Sequence, residues 1–329
     1  MRIAGFEDTR KSLTPRLIGI GLLLLAVVLI APNSDGSLVA SSTSEQAGPL
    51  LSKQLDTTKS YVDLAPKAKK PLIYAKQYVL LDATNAEIIV SQGEDTPVPI
   101  ASTTKMVTAL VALEKLPLDT VVTVSDKPPK IQGSKIGLLS GEKISVRSLI
   151  QGLLIYSGND AAFALAEAYA DRPGDYLQFV KAMNDFATSN HLVNATYGDP
   201  AGLDDQVGRS TPRELANVAR MLLQQPFLAE TVVTENLTIF SANGQISHVL
   251  KNTNRLVQVE SPYYLANAIG VKTGFTLDAG HSLVAAYKWN GRILIGVVMN
   301  TIEFTNSASA VEMNKLFRWA DTSLVLKQY

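Results

Sequence analysis

Apolar residues fall along this chain in three regimes. Residues 17–31 are an unbroken uncharged run, residues 34–71 are polar and rich in Ser, Thr and Lys, and from about Gln77 onward apolar periodicities of two and of 3.6 residues alternate. The last regime predicts a single folded unit of about 250 residues, without internal repeats. Residues 78–82 and 87–91 are β-rich and separated by Ala83-Thr84-Asn85-Ala86, an early hairpin. After Pro99-Ile100-Ala101, Met106, Leu110 and Leu113 recur at helical spacing, so a helix is expected to open at Ser102. Residues 146–156, 160–170 and 176–188 read as further helices, the first two broken at Ser157-Gly158-Asn159. Residues 268–273, 282–289 and 293–300 read as strands, with Asn290-Gly291 a tight turn and Lys272 at the end of the first strand. A last helix over 307–327 would cover one sheet face. The order implies an α+β unit: early and late strands share one antiparallel sheet, and the helices between them form a lobe.

Composition narrows the chemistry. The 30 basic and 30 acidic side chains cancel, which gives nucleic acid no electrostatic footprint to bind. The absence of Cys removes disulfides, thiol catalysis and thiolate metal sites. At the N-terminus Arg10, Lys11 and Arg16 precede the apolar run and Pro32-Asn33-Ser34-Asp35-Gly36 follows it, an export signal with its positive end inside. A helix of that length covers about 22 Å of a roughly 30 Å hydrocarbon layer, as suits a signal-peptide core. Ala40 and Ser41 offer small-residue cleavage positions, whereas the polar stretch behind them makes a stalk and favours an uncleaved anchor. The expected organisation is an export signal or membrane anchor over 1–33, a polar linker over 34–71 and an extracytoplasmic catalytic domain over 72–329.

Three short motifs carry the candidate chemistry: Ser102-Thr103-Thr104-Lys105, Ser157-Gly158-Asn159 and Lys272-Thr273-Gly274. Each is cheap alone. Ser140-Gly141-Glu142-Lys143 is a second Ser-x-x-Lys, and Ser241-Ala242-Asn243 is a second Ser-x-Asn that Gly244 and its β-rich flanks mark as a hairpin turn. A serine at a helix N-terminus lies near unpaired N–H groups and the positive end of the dipole, and Lys105 follows on the same face. Buried near another cation, such a lysine loses its proton and can serve as base for the hydroxyl, and Lys272 is the candidate second charge. Ser157 could relay a proton to a leaving amine, and the Asn159 amide could donate to and accept from a peptide. Lys272 and Thr273 could hold a carboxylate, with Gly274 permitting close approach to an edge strand. Taken singly, the motifs read equally as a helix cap with a surface cation, a helix-to-helix turn and a strand exit.

In this order and spacing the motifs resemble the penicillin-binding, serine-type D-alanyl-D-alanine carboxypeptidases of peptidoglycan. The longer strings Ala101 to Leu110, Ser157-Gly158-Asn159-Asp160-Ala161-Ala162, Gly202-Leu203-Asp204-Asp205 and Gly270-Val271-Lys272-Thr273-Gly274-Phe275 extend the resemblance over roughly residues 76–326. It implies the fold shared by serine β-lactamases and transpeptidases, with the active site between the sheet and the helical lobe. It also implies Ser102 as acylated nucleophile, Lys105 as base, Ser157 in proton transfer, Asn159, Lys272, Thr273 and Gly274 at the substrate, and the N–H groups of Ser102 and Phe275 as oxyanion hole. No cofactor or metal is implied. The implied partners are peptidoglycan stem peptides, with β-lactams as covalent inhibitors, and the membrane through the N-terminal segment. Two departures stand out: Ala201 replaces a larger polar residue of many relatives, and residues 301–309 lack an arginine that relatives often use for the terminal carboxylate. Substrate contacts at Ala201 are therefore in question, and carboxylate recognition is expected to rest on Lys272 and Thr273. The chain also ends after the catalytic unit, without the C-terminal β-domain of some relatives.

A D,D-endopeptidase or transpeptidase acting on crosslinks uses the same chemistry. A serine β-lactamase would need a deacylating water, but the tempting Glu214 sits in Thr211-Pro212-Arg213-Glu214, a capping box with Pro at the first helical position. An inactive penicillin-recognising cell-wall protein is the non-enzymatic alternative. His191, His248 and His281 are far apart, without metal-ligand spacing or a Gly-x-Ser-x-Gly motif, and read as structural.

Overall fold

The computed structural model describes residues 60–203, 206–303 and 305–328. The N-terminal segment and most of the polar stretch, with Asp204 and Asp205, lie outside the described residues. No helix among the described residues is long and apolar enough to cross a membrane.

In chain order the strands are β1 Ser60–Leu64, β2 Ala75–Asp82, β3 Glu87–Gln92, β4 Val98–Pro99, β5 Val121–Thr123, β6 Lys143–Ser145, β7 Arg209–Ser210, β8 Asn236–Phe240, β9 Ser247–Lys251, β10 Ala268–Thr276, β11 Gly280–Trp289, β12 Arg292–Thr301 and β13 Leu324–Gln328. The helices are α1 Lys105–Lys115, α2 Val146–Ile155, α3 Asn159–Ala170, α4 Leu177–Ser189, α5 Pro212–Leu223, α6 Pro226–Val233 and α7 Ala308–Ser323. A five-stranded antiparallel sheet, β10-β11-β12-β2-β3, joins the early and late strands. Alternation decides what each face meets. Tyr78 and Leu80 of β2 pack with Met313, Leu316 and Phe317 of α7, whereas Val79 and Leu81 face the core shared with the other helices. The sheet thus lies between α7 and the helical lobe, and β10 is left at an edge beside that lobe.

The structure corrects several boundaries. Lys272 is inside β10, which runs on to Thr276. Gly274 is tolerated there because β10 is an edge and a neighbouring segment comes close: a Cβ would lie 3.1 Å from the Ile100 carbonyl oxygen. Ser102 belongs to a 3₁₀ turn, Ala101–Thr104, that leads into α1. The last helix stops at Ser323, and the next residues form β13. Its partner is β1, so Ser60–Leu64, within the stretch read as linker, is a paired strand. Arg292 ties that strand to the sheet: its guanidinium reaches the Ser60 carbonyl and, at 2.5 Å, the buried Asp82 carboxylate.

Candidate active site

Backbone strain and glycine-only contacts assemble the centre. Ala101, at φ +46°, turns the chain into the 3₁₀ turn that presents Ser102. Against its carbonyl lies Gly202, at φ +78°, where a Cβ would come 1.9 Å from the Ala101 oxygen, so no other residue fits. The Asp199 carboxylate accepts from the N–H groups of Ala201 (2.6 Å), Gly202 (2.7 Å) and Leu203 (2.8 Å), fixing a turn that aims the Ala201 carbonyl at Lys105. Lys105 Nζ donates to that carbonyl and to Ser102 Oγ, both at 2.7 Å. The Ala201 side chain is fully buried, so this position acts through its backbone and the question of a missing substrate contact does not arise there.

Ser157 occupies the break between α2 and α3 at φ +66°, a conformation a non-glycine residue enters at a cost of roughly 1–2 kcal/mol. It is held there because Gly158 N–H returns to the Gly152 carbonyl at 3.1 Å and α3 begins at once. Ser157 Oγ accepts from Lys272 Nζ at 2.8 Å. Gly158 is the N-cap, and Asn159 is the first residue of α3. Asn159 N–H donates to Ser134 O at 2.7 Å and its Nδ2 to Gln132 O at 2.6 Å, while the buried Oδ1 has no partner among the described residues. Asp160 secures the adjoining loop, accepting from the N–H groups of Ile136 (3.0 Å), Gly137 (2.9 Å) and Leu138 (3.1 Å).

Both lysines are completely enclosed. Burial drives the Lys105 ammonium down to about 7, against the opposing pull of the Asp199 and Asp160 carboxylates. Burial pushes Lys272 well below the ordinary lysine range, and the charge of Lys105 adds to the effect. Desolvation therefore outranks the lysine–lysine repulsion expected from sequence as the cause of both shifts. Besides Ser157, Lys272 Nζ donates only to the Thr273 carbonyl, at 3.0 Å, among the described residues. Thr273 Oγ1 shares a 2.7 Å hydrogen bond with Thr253 Oγ1, a neighbour no sequence motif marked.

These groups open onto a groove of about 530 Å³ between the lobe and β10, lined by Ser102, Ser134, Ser157, Asn159, Thr253, Thr273, Gly274, Phe275 and His281 among others. All eight candidate site residues border the groove or lie directly beneath it. A sequence profile of the D-alanyl-D-alanine carboxypeptidases matches residues 65–303. The chain belongs to this family. It is 33% identical over 266 residues to a D-alanyl-D-alanine endopeptidase of Pseudomonas aeruginosa, covering 79% of this chain and 82% of that protein. It is 31% identical over 270 residues to the carboxypeptidase DacD of Escherichia coli, covering 78% and 66%. The crystal structure of the Streptomyces K15 DD-transpeptidase superposes with a TM-score of 0.70 at 29% identity, over 77% of this chain and 99% of that one.

The decoy motifs of this family member lie elsewhere. Ser140 is in an exposed turn bonded to Asp126, and Ser241 caps the β8–β9 turn. Glu214 completes its capping box and accepts from Asn194 N–H (2.7 Å) and Ser210 Oγ (2.8 Å), so its two oxygens are spent on structure. Both His248 ring nitrogens are engaged, with Ile136 O and Glu142. His281 differs: it borders the groove.

Proposed function

We propose that this protein removes the terminal D-alanine from peptidoglycan stem pentapeptides through a serine acyl-enzyme. One observation carries the reading: a lysine amine poised near neutrality, 2.7 Å from the Ser102 hydroxyl at the floor of an open groove. Neutral Lys105 takes the Ser102 proton as Oγ attacks the carbonyl of the penultimate D-alanine. The developing oxyanion is received by the N–H groups of Ser102 and Phe275, the latter a residue of edge strand β10. Lys272 donates to Ser157 Oγ, which leaves the Ser157 hydroxyl proton free to pass to the leaving amine while Lys105 restores it. D-Alanine departs, and the Asn159 amide, with its open Oδ1, aligns the acyl chain. Water, deprotonated by Lys105, then cleaves the ester and regenerates Ser102. β-Lactams enter the same path and stall as covalent adducts.

The basic flank and apolar run of residues 17–31 support placement outside the cytoplasmic membrane, tethered by that segment. Incubating the full chain with defined muropeptides tests the reaction: pentapeptides ending in D-alanyl-D-alanine should lose one D-alanine. A second reading, D,D-endopeptidase, is favoured by the 33% and 32% identity to proteins of that name from Pseudomonas aeruginosa and Escherichia coli. Faster cleavage of crosslinked dimers than of pentapeptides would establish it. Rapid penicillin turnover without peptide cleavage would instead make the protein a β-lactamase.

A further inference from the structure

The site leaves one requirement unmet. A substrate with a free C-terminus carries a carboxylate on its leaving residue, yet Lys272 is buried, shifted towards the neutral amine and committed to Ser157 and Thr273. Among the described side chains lining the groove, His281 is the only one bearing an ionisable group other than a hydroxyl. It is 8% exposed, and neither ring nitrogen has a hydrogen-bond partner among the described residues. What holds the ring is Phe275, directly opposite across the β10–β11 ladder, with ring centroids 4.2 Å apart and planes 24° from parallel. A largely buried polar side chain ordinarily has a hydrogen-bond partner. The open groove is the direction from which a partner can come.

A second feature converges on the same wall. Asn306 and Ser309, at the start of α7, also line the groove. That 16-residue helix begins without a side-chain cap and without an acidic residue in its first turn. Ala308 N–H donates to the Thr305 carbonyl and Val311 N–H to the Ser307 carbonyl, each at 2.9 Å, so the Ser309 and Ala310 N–H groups and the positive end of the dipole are the part no side chain of the helix compensates.

We propose that His281 and the N-terminus of α7 form the subsite that reads the carboxylate of the leaving residue, with Thr273 as the hydrogen-bonding contact nearest the scissile bond. An imidazole N–H and helix N–H groups all donate, which suits a carboxylate and discriminates against a carboxamide whose NH₂ would meet donors. Burial alone pushes the His281 imidazolium down, a cost that a bound anion would offset. The assignment rests on the carboxypeptidase reading for its substrate class, and the experiment separates the two.

The full chain is assayed with two matched pairs: N-acetylated L-lysyl-D-alanyl-D-alanine against its C-terminal carboxamide, and benzylpenicillin against its methyl ester. The readout is the carboxylate preference, the ratio of kcat/KM for peptides and of second-order acylation rates for penicillins. His281→Phe keeps an aromatic ring on Phe275 but removes both nitrogens, and should reduce the preference at least tenfold, mainly through KM. His281→Gln, which restores an N–H donor, should recover part of it. An unchanged ratio in His281→Phe would overturn the proposal. A wild-type protein that cleaves neither peptide but is acylated with a carboxylate preference would refute the carboxypeptidase reading and leave the subsite standing.

Discussion

If Lys105 is the base, acylation must follow its titration. Its ammonium lies at about 7 instead of the ordinary lysine value of 10.5. At about 1.4 kcal/mol per tenfold change, that difference amounts to roughly 5 kcal/mol against the charged form, the net of burial and of attraction to Asp199 and Asp160. Half of the lysine is then neutral at pH 7, whereas an unperturbed lysine would be neutral in only on the order of one molecule in a thousand. The second-order rate constant for acylation by benzylpenicillin, followed by intact mass after rapid quenching, should therefore be flat above about pH 8. It should fall about tenfold per pH unit below 7, reaching about a hundredth of the plateau at pH 5. The same displacement has a consequence for stability. Because the folded-state value is below the unfolded one, unfolded chains hold more protons between about 7 and 10.5. The penalty on the fold is complete below 7 and eases as the pH rises through that window. Lys105→Met should abolish acylation yet cost no stability at pH 6, since relief of this penalty outweighs two lost hydrogen bonds worth about 1 kcal/mol each. A rate still rising tenfold per unit between pH 8 and 10 would mean that Lys105 stays an ordinary cation, and would refute the reasoning.

Gly202→Ala places a methyl against the Ala101 carbonyl in a left-handed backbone, so penicillin labelling should drop at least a hundredfold in a protein that still melts cooperatively. Glu214→Gln should keep near-normal acylation and deacylation rates but lower the unfolding free energy by about 1–3 kcal/mol in urea titrations, because its carboxylate serves three local donors. Asp82→Ala leaves Arg292 buried without its carboxylate and should cost about 3–5 kcal/mol by the same measurement.

What the sequence made legible was local. The Asn290-Gly291 turn, the 83–86 hairpin and the Thr211 to Glu214 capping box are written in adjacent residues, and each forms as its turn or cap chemistry dictates. The three motifs meet in one groove, as their order suggested. What stayed hidden depends on distant partners. Nothing near Ser60–Leu64 announces a strand, because β13, which supplies its hydrogen bonds, lies at the other end of the chain. Gly274 resembles a strand exit until the edge position of β10 and the approach of Ile100 explain it. Asp199 and Gly202 could have been found from the Asp-Pro-x-Gly turn pattern, whereas Thr253 and His281 acquire their place only through the fold.

Acylation is expected at Ser102 and at no other hydroxyl. Intact-mass spectrometry of the full chain after exposure to benzylpenicillin distinguishes the sites, comparing the wild type with Ser102→Ala and Ser140→Ala. The wild type and Ser140→Ala should each gain one penicilloyl group and Ser102→Ala none, since only Ser102 lies 2.7 Å from a buried lysine amine. A penicilloyl adduct persisting on Ser102→Ala would mean that another hydroxyl is the nucleophile.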